Sequence, residues 1–113
     1  MLLLSTGPAQ GDQESRESMD QKKRSISELA VSDLAKRLRI RKSEITLASI
    51  EPTEWSDTSL GCPKPGLLYA QVITPGFRIE LRTGDDQYVY HTDQEHHVIL
   101  CDEGKPGGGF ENF

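Results

Sequence analysis

The stretch "FRIELRTGDDQYVYHT", residues 77–92, limits the possible folds more than any other part of the chain. Phe77, Ile79 and Leu81 alternate with Arg78, Glu80 and Arg82, the period of a strand with one apolar and one solvated face. Gly84, Asp85 and Asp86 form a hairpin turn, and "QYVYHT" is the return strand. Val89 and His91 share one face of it, Tyr88 and Tyr90 the other. One face packs on a helix and the other meets a long loop. "HHVILC" pairs next, after a turn at Asp93 and Gln94. "ITLASIEP" is β-rich and Pro52 stops it, and "LYAQVI" is a candidate further strand. In "SISELAVSDLAKRLRI", Val31, Leu34, Ala35 and Leu38 recur at helical spacing. Ser27 is placed to cap the start, and Lys36, Arg37 and Arg39 fall near the end, where cations favour the helix dipole. No glycine marks the stop, so Arg39 or Arg41 is expected to take an unusual backbone angle. The expected fold class is α+β: one N-terminal helix packed on a three- to four-stranded antiparallel sheet.

At 113 residues, with 35% hydrophobic and 27% charged, the chain holds one domain with a small core. Residues 1–24 have no aromatic side chain and too little apolar surface to offset ordering entropy, so disorder is expected there. Residues 104–113, with their triple glycine, are expected to form a flexible tail, which leaves 25–103 as the domain. Phe110 and Phe113 lie in that tail. The net charge of −5 argues against a general nucleic-acid binder. The basic cluster "KRLRIRK", residues 36–42, suits an anionic partner or membrane surface, although a solvated helix end is the plainer reading. No apolar run approaches the roughly 18 residues of a membrane span. "MLLLSTGPAQG" has no basic start and an apolar run too short for a signal peptide. The expected location is therefore cytoplasmic, or extracytoplasmic if the N-terminus is incomplete.

The long irregular connection after Pro52 carries Trp55, Asp57, Gly61, Cys62, Pro63, Pro65 and Gly66. Such loops are functional or disordered, and a tryptophan, a cysteine and two prolines favour order. Burial as a core anchor is favoured for Trp55, the only tryptophan, over exposure as an interface anchor. Asp57 is placed to cap a local turn. Pro75-Gly76 suits a type II turn with Gly76 at positive φ. Cys62 and Cys101 are the only cysteines. A bond between them would contribute about 4 kcal/mol in the chain-entropy model, and two reduced thiols are the alternative.

"EWSDTSLGCPKPG", "YAQVITPGFRI", "YVYHTD" and the final cysteine resemble a small domain family of bacterial proteins, over about residues 28–101. Its pattern runs Trp-x-Asp-x-x-Leu-Gly-Cys-Pro-x-Pro-Gly, Tyr-x-Gln-Val-x-Thr-Pro-Gly-aromatic, Tyr-x-Tyr-His-Thr and a terminal Cys. The resemblance implies exported or lipid-anchored relatives with Cys62 and Cys101 paired. This chain departs in showing no export signal and in placing Arg39 where a glycine is expected.

His91, His96 and His97 fit no zinc-ligand spacing, and adjacent strand histidines face opposite ways, so no metal and no cofactor is expected. No catalytic triad or phosphate loop is present in the sequence. The leading function is a non-enzymatic module that binds a protein or small ligand. Its candidate surface is the loop of residues 55–66, with Trp55, Asp57, Gln71, Thr74, Tyr90 and His91. The alternative is a small redox or hydrolytic enzyme using Cys62, His91 or Asp57.

Overall fold

The computed structural model of the protein describes residues 10–106, with side-chain surroundings for residues 18–101. One helix, α1 (Gln10–Leu38), precedes four strands: β1 (Thr46–Trp55), β2 (Thr74–Thr83), β3 (Asp86–Asp93) and β4 (Val98–Pro106). The strands pair antiparallel in the order β1-β2-β3-β4. The expected α+β fold is therefore observed, with four strands.

Alternation sets the layers. Phe77, Ile79 and Leu81 of β2 and Tyr88 and Tyr90 of β3 point to the helix. There they meet Ile26, Ala30, Leu34 and Ala35 of α1, with Ile45 closing the cluster. The helix is bolted as well as packed. The Tyr90 hydroxyl donates to Asp33 Oδ2 at 2.6 Å, and Arg37 Nε donates to the same oxygen at 2.6 Å.

The helix starts earlier than its apolar pattern suggests. Residues 10–24 extend it, whereas disorder is the sequence expectation there; residues 1–9 lie outside the described residues. Gln, Glu, Arg and Lys are good helix formers, and the extension has anchors. Met19 packs on the core, and Lys22 Nζ donates to Gln94 Oε1 at 3.4 Å. Ser27 is consequently internal, and its hydroxyl donates back to the Arg24 carbonyl rather than capping a start. The helix ends as its lack of glycine requires. Arg39 takes φ 58, and Ile40 N–H donates to the Ala35 carbonyl at 3.1 Å, a Schellman-type close.

Four expectations about the strands and the tail are corrected. Pro52 does not stop β1, which continues to Trp55. β1 is an edge strand, where a missing N–H facing solvent costs no ladder bond. Pro75-Gly76 is not a turn but part of β2, with Gly76 paired to Asp93 and outside the positive-φ glycines. A Cβ on Gly76 would overlap the Thr92 carbonyl, so the residue permits close strand approach instead. "LYAQVI" forms no strand. β4 also runs on through Gly104 to Pro106, pairing with Asp86 and Gln87, where a flexible tail is expected. Residues 107–113, with Phe110 and Phe113, lie outside the described residues.

The hairpin turn lies where it is expected but is one residue shorter, because Asp86 begins β3. Thr83 pairs with Asp86, leaving Gly84 and Asp85 as a two-residue loop, with Gly84 at φ 62.

Candidate functional site

The face of the sheet turned away from α1 is covered by the β1–β2 connection, residues 56–73. Its fastening begins at Asp57. The carboxylate accepts from Ser59 N–H at 2.9 Å and from the Ser59 hydroxyl at 2.6 Å, which turns the chain as the sequence suggests. The Ser59 hydroxyl, and then its amide, hold the Asp57 carboxyl below the ordinary carboxylate range. Thr58 and Ala70 pinch the base of the loop: Thr58 N–H donates to the Ala70 carbonyl at 3.1 Å, and Ala70 N–H to Thr58 Oγ1 at 3.0 Å. Nearer the tip, Lys64 N–H donates to the Tyr69 hydroxyl at 2.9 Å.

Leu60 and Gly61 both adopt left-handed backbone, at φ 58 and φ 72. That geometry aims the Leu60 carbonyl at His91 Nδ1, 2.7 Å away. A carbonyl only accepts, so Nδ1 carries the proton. The His91 ring stacks on Trp55, with centroids 4.3 Å apart and planes 21° from parallel. Trp55 sits at the end of edge strand β1, so its indole spans β2 to reach β3. Its Nε1–H donates to the Thr92 carbonyl at 2.9 Å. A Cβ on Gly61 would lie 2.8 Å from Trp55 Cζ3 and 3.4 Å from His91 Nδ1. The loop backbone thus lies directly on the Trp55–His91 pair, and only glycine fits between them. Leu60 and Val89 are buried yet stand apart from the helix-side core. Val89 shares the face of His91, so the loop closes a second, smaller buried region on the outer side of the sheet.

Next along the loop, Cys62 is disulfide-bonded to Cys101 of β4, with Cα atoms 5.9 Å apart. Of the two states left open by the sequence, the structure has the bonded one. The strap is now complete: hydrogen bonds at its base, the Trp55–His91 stack beneath it and a covalent tie at its far side.

Of the sequence-predicted site residues, Trp55 and His91 stack beneath the loop, and Asp57 lies near its start, bonded to Ser59. Thr74, the strand partner of Trp55, is half-buried and its hydroxyl donates to the Val72 carbonyl at 2.8 Å. Gln71 is exposed on the loop. Tyr90 is not part of this surface. It is fully buried on the opposite face, where burial and the Asp33 carboxylate push its phenol far above the usual range. Adjacent strand positions face opposite ways, so Tyr90 and His91 cannot serve one surface. His96 and His97 lie exposed in the β3–β4 turn, where Asp93 Oδ1 accepts three amide N–H groups, from Glu95, His96 and His97, each at 2.9 Å. Among the described residues no three His, Cys, Asp or Glu side chains are grouped to hold a metal.

The sequence reading missed the outer rim of the loop. Leu67, Leu68, Val72 and Ile73 are 58%, 99%, 56% and 66% exposed. Their aliphatic, partly β-branched character is the signal of a strand, and that signal conceals an apolar surface held outward by the loop.

The match to a known family covers this whole assembly, from the second half of α1 to the disulfide at Cys101: residues 27–101 correspond to a domain of unknown function (DUF8738). The chain belongs to the DUF8738 family. Neither the curated proteins nor the solved structures give a match. The C-terminal end of the DUF8738 span falls at Cys101, where the strap is tied down. No helix among the described residues is long and apolar enough to cross a membrane.

Proposed function

We propose that this DUF8738 domain is a non-enzymatic binding module that recognises an apolar protein surface through residues 56–73. The observation that carries the reading is the run of outward aliphatic side chains, Leu67, Leu68, Val72 and Ile73, on a loop that is fastened rather than free. Contiguous exposed apolar groups mark interaction sites. A loop ordered before binding loses little conformational freedom on docking, which leaves more of the contact energy as affinity.

The three residues of the enzymatic alternative have structural duties here. Cys62 is held as a disulfide, Asp57 is engaged by Ser59, and His91 is stacked on Trp55 and bonded to the Leu60 carbonyl. Those duties support binding over catalysis. The disulfide also favours the extracytoplasmic location, since structural disulfides persist in oxidising compartments.

The test uses the immobilised domain with Leu68→Asp and Ile73→Asp variants. Both positions are exposed, so thermal unfolding should match the parent. A partner retained by the parent should be lost by both variants. Equal retention by all three would refute the loop as the recognition surface.

A further inference from the structure

The C-terminal end of α1 carries a feature that neither the core nor the loop uses. Arg39 occupies the left-handed position of the helix close, where glycine sits without strain and any side chain is strained. Backbone strain of this kind persists only where the surrounding structure over-determines it, and it clusters at ligand sites. Arg39 lines a groove of about 580 Å³ together with Ser32, Ala35, Lys36, Ile40 and Lys42. Three cations therefore share one concavity, with a hydroxyl from Ser32 and apolar surface from Ala35 and Ile40.

Complementing the helix dipole does not require this arrangement. Lys36 and Arg37 already place two cations in the last turn. Arg37 is occupied, paired with Asp33. The other ion pair among the described residues joins Arg78 to Glu80. Lys36 acts on the Asp33 carboxylate only through space, and Arg39 and Lys42 have no ion-pair partner among the described residues, within a chain whose net charge is −5. A chain with excess acid that gathers three cations around one groove, none in a contact ion pair, concentrates positive potential there.

The geometry points to an anion site in this groove, for a ligand bearing a phosphoryl group. Two ammonium groups and one guanidinium suit a multiply charged oxyanion, and the guanidinium fork can engage two of its oxygens at once. The phosphoryl group can arrive on a small soluble molecule or on a lipid headgroup, and two arms of one experiment separate these sources. In the first, the isotope-labelled full chain is titrated with inorganic pyrophosphate at constant ionic strength, and amide shifts are followed over residues 32–42. In the second, the chain is sedimented with phosphatidylcholine vesicles, with and without phosphatidic acid.

Arg39→Gly is the decisive variant. It removes the guanidinium and relieves the backbone, so it should melt higher than the parent. Saturable binding in either arm, weakened about tenfold in Arg39→Gly and in the Lys36→Gln/Lys42→Gln pair, is the expected result. The arm that responds names the source. Absence of saturable binding in both arms, or undiminished binding by Arg39→Gly, overturns the site. Leu68→Asp should leave this binding unchanged, which keeps the outcome independent of the loop.

Discussion

Replacing Gly61 with alanine tests whether the loop is seated on the Trp55–His91 pair or merely passes near it. Two costs are expected. Left-handed backbone at φ 72 costs an alanine about 1 kcal/mol. The new Cβ would also lie 2.8 Å and 2.9 Å from two carbons of the Trp55 ring, well inside the ordinary carbon contact of about 3.5–4.0 Å. The indole cannot yield for free. It donates to the Thr92 carbonyl and stacks on His91, and sliding out would forfeit about 1 kcal/mol for each contact. The total is about 3 kcal/mol. Gly66 is the matched control: its φ is +83, but nothing lies within 4 Å of its Cβ position, so Gly66→Ala should cost only the backbone term of about 1 kcal/mol. For a domain of this size each kcal/mol moves the melting temperature by about 4–8 °C, so the two variants should differ by about 8–16 °C. Trp55 is the only tryptophan, so its fluorescence reports both unfolding and displacement of the stack. Equal melting of the two variants, or unchanged emission in Gly61→Ala, would refute the seating of the loop.

Three further outcomes follow from the same structure. Changing Cys62 and Cys101 together to serine should lower stability by about 4 kcal/mol in the chain-entropy model, read as a shift of the urea midpoint that adding reductant to the parent reproduces; coincident midpoints would mean the bond constrains nothing. Stability should fall at both ends of the pH scale. Burial raises the Asp33 and Asp93 carboxyls, but hydrogen bonds from Tyr90 and Arg37, and from the three turn amides, outweigh it and hold both below the ordinary value of 3.8. Their contribution is present above about pH 4 and lost as pH falls through the folded values. The phenol of Tyr90 is shifted the other way, so its contribution is present below about pH 10 and lost above it. Urea midpoints against pH check both limbs, and Tyr90→Phe should flatten the alkaline one. Gly76→Ala should destabilise by about 3 kcal/mol or more, because its Cβ would overlap the Thr92 carbonyl; native-like amide protection at Phe77 and Thr92 in that variant would contradict the close approach.

What the sequence disclosed follows the range over which each feature is determined. The β2–β3 hairpin was legible because alternation and a glycine turn are local. The Asp57 turn and the left-handed Arg39 were legible for the same reason: each depends on neighbours within a few positions. The extension of α1 was hidden because its anchors, Met19 on the core and Lys22 on Gln94, come from distant segments. Pro52 misled because a proline is a stop or a tolerated edge residue according to which strand lies beside it. Gly76 misled because a close approach to Thr92 leaves no mark in its own neighbourhood. At the site, Trp55 and His91 were chosen for their chemistry and the fold stacks them, while Asp57 bonds only within its own turn. Their stacking across β2 required the register. Tyr90 was misassigned although the period of the strand already placed it on the other face.

The Cys62–Cys101 bond also fixes how the molecule bears load. Tension applied at the chain ends enters the loop at Cys62 and leaves through Cys101, so it bypasses β2 and β3, which lie between the two cysteines. The β2–β3 hairpin and the loop from Cys62 form a mechanically shielded ring, while α1, β1 and the end of β4 beyond Cys101 are the parts that yield. A partner pulling on either terminus would strip the helix from the sheet and still meet an intact loop surface.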